Sequence, residues 1–109
     1  MAASNKPPDP DLAVLTSADF EKVYEPAEDS YLLLDALALD LPAVLVKIQS
    51  SRPQTVPVAM EIGCGSGIVS TYLSRIAQGN VLLFASDINP DAARCASALF
   101  RHNKVPLLV

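Results

Sequence analysis

Five residues of this chain combine type and spacing in a way that could do chemistry: Glu61, Gly63, Gly65, Gly67 and Asp87. Glu61 closes the apolar run Val58-Ala-Met-Glu-Ile62, and the three glycines follow at every second position. Glycine has no Cβ and accepts positive φ, so such a turn lets a small ligand lie directly against the backbone. In open α/β sheets ligands bind at the carboxyl ends of the strands, which is where Glu61 falls. Asp87 ends the next apolar run, twenty residues after Gly67. A carboxylate at that place can accept hydrogen bonds from both hydroxyls of a ribose. The constellation predicts a site for a nucleoside. The fingerprint for a dinucleotide needs a third glycine three residues after the second, beside the pyrophosphate. That position is Ile68 here, and the third glycine comes one residue earlier.

The elements that must position these groups follow from the apolar pattern. The sequence predicts a strand over Val58–Ile62, a helix over Ile68–Ala77, a strand over Val81–Ser86, a helix over Asp91–Asn103 and a third strand over Val105–Val109. Asn89 is placed to cap the helix that follows it. Upstream, Tyr24-Glu-Pro-Ala-Glu-Asp-Ser30 precedes a leucine-rich helix. Pro26 suits a first helical turn, and Glu28 and Asp29 suit the positive end of its dipole. Leu33, Leu37 and Leu41, with Leu34 and Val44 beside them, are expected to form its apolar face. A polar connector, Gln49–Pro57, separates this helix from the first strand.

At 109 residues, half of them hydrophobic, the chain makes at most one domain. With three expected strands and an apolar end, it reads as part of a larger α/β domain. The net charge of −4 argues against nucleic-acid binding by this piece alone. The small basic group Arg94, Arg101, His102 and Lys104 reads as a solvated helix end. No apolar run is long enough for a membrane span; Asp40 and Pro42 interrupt Ala36–Val46, and the amino terminus has no signal core. Residues 1–19, with Pro7, Pro8 and Pro10, are expected to be a flexible segment. Cys64 and Cys95 lack metal-site spacing and are expected to be reduced thiols in the cytoplasm or nucleus; no metal ligand set is present.

Glu-x-Gly-x-Gly-x-Gly resembles the first motif of class I methyltransferases that use S-adenosylmethionine. Together with Tyr-Glu-Pro-Ala-Glu-Asp-Ser and Asp87-Ile-Asn-Pro-Asp-Ala-Ala, it resembles the HemK/PrmC-related glutamine methyltransferases, in the eukaryotic and archaeal branch acting on the class I translation termination factor. The resemblance runs from about Phe20 to Val109. It implies the amino-terminal part of a Rossmann-like methyltransferase domain, with three parallel strands of about seven. Within it, 20–48 is the helical region and 58–109 the cofactor-binding half. By the same resemblance Ser30, Glu61, Gly63, Gly65 and Asp87 contact the cofactor and Ile88 packs against adenine, while Tyr24 lies near the pocket mouth without an assigned role. The family's catalytic Asn-Pro-Pro-Tyr is absent, since Asn89-Pro90 continues as Asp91-Ala92. No catalytic residue is therefore assigned, and the piece is expected to be inactive alone. The resemblance also implies a small zinc-binding activator protein as partner, docked along Val105–Val109, and the termination factor as substrate. An adenine base or a lysine as methyl acceptor, or a non-catalytic binding role, remains open on the sequence.

Overall fold

The computed structural model describes residues 6–106. Four helices and two strands follow in the order α1 Ser17–Phe20, α2 Glu28–Ser51, β1 Val58–Ile62, α3 Ile68–Ile76, β2 Leu82–Ser86 and α4 Pro90–His102. The strands are parallel, with Val58 beside Leu82, Met60 beside Phe84 and Ile62 beside Ser86. A parallel pair needs a crossover, and α3 supplies it. The result is a β–α–β unit with α4 returning from β2.

Two strands, not three, occur among the described residues. Of the third strand expected over Val105–Val109, Val105 and Pro106 are not strand, and 107–109 lie outside the described residues. The Val105 N–H instead donates to the Phe100 carbonyl (2.9 Å), closing the turn after α4. Helix α2 is longer than the pattern suggests, passing through Pro42 and ending at Ser51. Pro26 lies before the helix, not in its first turn: Ala27 is the N-cap, and Glu28 and Asp29 occupy the first turn. Ser30 Oγ accepts from the Ala27 N–H (3.2 Å), reinforcing this start.

The core sits among the helices. Leu34 of α2, Tyr72 of α3 and Leu99 of α4 are fully buried, joined by Ile68, Ala92, Cys95, Leu15 and Val23. Of the apolar face expected on α2, Leu34 is the fully buried member, with Tyr31 and Ala38 packed beside it, while Leu37 and Leu41 are half-buried. Leu33 is 47% exposed and Val44 48%. Because α2 is apolar nearly all round, periodicity alone does not fix which stripe turns inward.

From Lys6 onward the segment expected to be flexible is docked on α3 and α4. The buried Tyr72 hydroxyl donates to the Pro7 carbonyl (2.8 Å). Arg75 donates through Nη1 to the carbonyls of Pro8 and Asp9 and through Nη2 to Asn103 Oδ1. Asn103 exchanges a pair of 2.9 Å hydrogen bonds with the Asp11 backbone. Further on, Thr16 and Asp19 form a reciprocal capping box that starts α1.

Among the described residues the sheet is covered on one side only. Val58, Met60 and Ile62 of β1 are 66%, 65% and 82% exposed, and their same-face neighbour Phe84 is 49% exposed. Strands buried on both faces read as continuous apolar runs, as these do. Val58, Met60, Ile62 and Phe84 thus form an exposed apolar face on the sheet. Among the described residues no helix is long and apolar enough to cross a membrane, and no cluster of side chains could hold a metal ion.

Candidate nucleoside-binding site

The glycine turn is held by β2 as much as by its own strand. The N–H groups of Gly63 and Cys64 both donate to the Ser86 carbonyl, at 2.8 and 2.9 Å. Gly65 sits at φ +55°, and a Cβ there would meet nothing within 4 Å, so its backbone faces open space. Gly67, at φ +90°, differs: a Cβ would lie 2.9 Å from Ala96 Cβ and 3.0 Å from Ala96 Cα. Its bareness lets α3 begin hard against α4. One glycine leaves its backbone facing open space, and the other packs two helices.

Asp87 is gripped from two sides. Its Oδ2 accepts from the Gly65 N–H and its Oδ1 from the Asn89 N–H, both at 2.9 Å. These bonds, the Asn89 one foremost, hold the carboxyl below the usual carboxylate range. It is thus an anion at neutral pH. Each carboxylate oxygen has two lone pairs, so one on each remains for a ligand hydroxyl. Ile88, next along, is fully exposed.

Glu61 faces α3, where the buried Ser70 hydroxyl donates to its Oε1 at 2.6 Å. Burial pushes its carboxyl upward, the Ser70 hydrogen bonds oppose this, and the charge of Asp87 adds to the rise. Among the described residues no cationic side chain pairs with Glu61. A raised folded-state value means that the folded state holds the proton more tightly than the unfolded chain. The Glu61 contribution to stability is then full at low pH and is lost as pH rises through and beyond the ordinary glutamate range. Glu61→Gln should remove that loss. Denaturant titrations across this range should show the difference, variant minus wild type, growing with pH; a flat difference contradicts the assignment.

A cleft of about 220 Å³ opens between this turn and the start of α2, lined by Tyr24, Asp29, Ser30, Glu61, Gly63 and Gly65 among others. Four of the six expected cofactor contacts, Ser30, Glu61, Gly63 and Gly65, thus share one cleft. Asp87 stands behind Gly65, and Ile88 lies beyond it in solvent. The Tyr24 hydroxyl donates to Asp29 Oδ1 (2.9 Å), so the tyrosine is fixed at the cleft wall. Cys64 is buried, and that burial, with the charges of Glu61 and Asp87, pushes its thiol upward and favours the neutral thiol. Sequence reasoning missed Ser70 and Asp29. Ser70 had one legible signal, a small polar residue in the first turn after the glycines; Asp29 read only as a helix-start charge.

A parallel β–α–β unit with a glycine turn at the carboxyl end of its first strand is a Rossmann-like unit. The human and mouse proteins named Methyltransferase HEMK2 are 41% and 40% identical to this chain over 86 residues, which is 79% of the chain and 36% of each relative. The Schizosaccharomyces pombe protein named eRF1 methyltransferase catalytic subunit mtq2 is 35% identical over 97 residues, 87% of the chain and 40% of that relative. No protein-family model matches the chain. These likenesses place the chain among the HemK-related methyltransferases. It spans well under half the length of the curated relatives it matches.

Proposed function

We propose that this chain is the cofactor-holding part of an S-adenosylmethionine-dependent methyltransferase that acts on a side-chain amide of glutamine in a translation termination factor. The constellation of Glu61, the glycine turn and Asp87 carries this reading. When bound, the cofactor supplies a methyl group on a sulfonium, ready for direct transfer to a nucleophile. The residues present suit its parts. Asp87 has a free lone pair on each oxygen for the ribose diol. Gly63 and Gly65 leave room along the turn. Glu61, half-buried and with no cationic partner among the described residues, suits an ammonium group. Ile88 offers an exposed apolar side chain beside the ribose-binding carboxylate.

The termination factor is favoured as substrate because the fission-yeast relative is named for eRF1 methylation. That relative is also named a catalytic subunit, which supports an assembly with a second chain. The small zinc-binding activator is the partner proposed. A largely apolar groove of about 560 Å³ runs beside the outer edge of β2, lined by Leu83, Phe84, Phe100 and Val105 among others. Strand addition at such an edge uses backbone hydrogen bonds for affinity. The cytoplasm or nucleus is the compartment that this reading proposes.

Methyl-labelled cofactor, the full-length protein with its activator, and purified termination factor test the substrate. Label should appear on one glutamine-containing peptide of the factor and vanish when that glutamine is replaced by alanine. Label on DNA or on lysine, with none on the factor, overturns the proposal.

A further inference from the structure

Asn89 uses every polar group it has. Its backbone N–H donates to Asp87 Oδ1, and its side-chain oxygen accepts the Asp91 N–H at 2.9 Å as the cap of α4. Its amide Nδ2 donates to the Lys22 carbonyl, also at 2.9 Å, 67 residues earlier in the chain. The first two bonds are local and suit any asparagine before a helix. The third is not local, and capping does not explain it.

Lys22 sits where the docked lead segment turns into the cleft. The next residue, Val23, is 5% exposed and belongs to the core. Tyr24 follows on the cleft wall, tied to Asp29 at the start of α2. The N–H groups of Lys22 and Val23 both donate to the Asp19 carbonyl at 3.0 Å, so this turn is internally stiff. Another polar link joins the turn to the start of α4, the Arg94–Asp19 pair at 3.2 Å. Its arginine is 57% exposed, and exposed ion pairs hold little. A chain of bonds thus runs from Gly65 through Asp87 and Asn89 to the Lys22 carbonyl, two residues before Tyr24, which is itself bonded to Asp29; Gly65, Tyr24 and Asp29 all line the cleft.

We propose that Asn89 is a positioning residue: its amide bond to the Lys22 carbonyl sets the cleft wall at Tyr24 in register with the Asp87 carboxylate. This rests on the reading of the cleft as the S-adenosylmethionine site. It assigns to Asn89 a role that its cap position alone does not.

Asn89→Ser isolates the third bond. Serine caps a helix about as well as asparagine, and the backbone N–H to Asp87 is retained. Amide hydrogen exchange of the full-length protein without ligand reads the Lys22–Tyr24 turn. Calorimetric titration with S-adenosylhomocysteine reads the site. Loss of one hydrogen bond should speed exchange at Val23 and Tyr24 and weaken binding by about three- to tenfold, with the thermal midpoint little changed. In a Tyr24→Ala background the same substitution should have almost no effect on binding, because the wall that it positions is gone. Unchanged exchange, unchanged affinity or strictly additive effects would each overturn the proposal. Asp87→Ala serves as the control. If it binds as well as wild type, the reading of the cofactor site fails, while the exchange measurement still decides whether Asn89 holds the turn.

Discussion

Asp87→Ala in the full-length protein is expected to weaken S-adenosylmethionine binding by at least about a hundredfold. Two charge-assisted hydrogen bonds to the ribose are lost, each contributing about 1.5–3 kcal/mol, and each 1.4 kcal/mol is a factor of ten. The substitution also releases the N–H groups of Gly65 and Asn89, which the carboxylate now holds at 2.9 Å. The turn under the ligand therefore loosens along with the loss of ribose contacts. Asp87→Asn should fall between wild type and alanine, since its amide oxygen can keep one backbone donor while its NH₂ faces the other. Isothermal calorimetry reads all three proteins. Equal affinities for wild type and alanine would remove Asp87 from the site.

The second large effect concerns stability. Gly67→Ala should destabilise the fold by about 2–5 kcal/mol, combining a strained positive φ with overpacking. A methyl group there would press within 3.0 Å of the Ala96 backbone, which cannot swing aside as the tip of a flexible side chain can. Gly65→Ala meets no neighbour and should cost only about 1 kcal/mol through its backbone conformation. Its damage should fall on ligand binding instead. Urea unfolding and ligand titration of both variants separate the two roles. Equal stability losses would mean that the two glycines are not specialised as the geometry assigns.

Local features of this chain were legible in the sequence. The strand ends, the turn between them and the start of α4 at Asn89 depend on residues adjacent in the chain, and glycine, proline and asparagine signal them directly. The stripe that α2 turns inward was legible only in part: Leu34 was among the expected residues, but the centre of the stripe was placed on Leu33 and Leu37. With leucine, alanine and valine on nearly every side, burial of Leu34 rather than Leu37 is set by where Tyr72 and Leu99 stand. Pro42 and the polar residues after Lys47 hid the length of the same helix, which continues to Ser51.

The docking of the lead segment was the least visible feature. Its partners Tyr72, Arg75 and Asn103 bind mostly backbone carbonyls of Pro7, Pro8, Asp9 and Asp11. A carbonyl is the same in every residue, so the segment carries no compositional sign of the contact. The bond from Asn89 to Lys22 is hidden for the same reason. At the site, Glu61, the glycines and Asp87 could be named from type and spacing. Ser70 carried a polar signal early in α3, but its bond to Glu61 emerges only with α3 folded back on β1.

Calorimetric titration of the full-length protein with S-adenosylmethionine, beside a matched titration with a nicotinamide dinucleotide, tests the central claim most directly. A Glu61–glycine–Asp87 site without the third glycine of a pyrophosphate turn should bind the sulfonium cofactor saturably, at one per chain, and give no saturable heat with the dinucleotide. Saturable binding of the dinucleotide with none of S-adenosylmethionine would contradict the account.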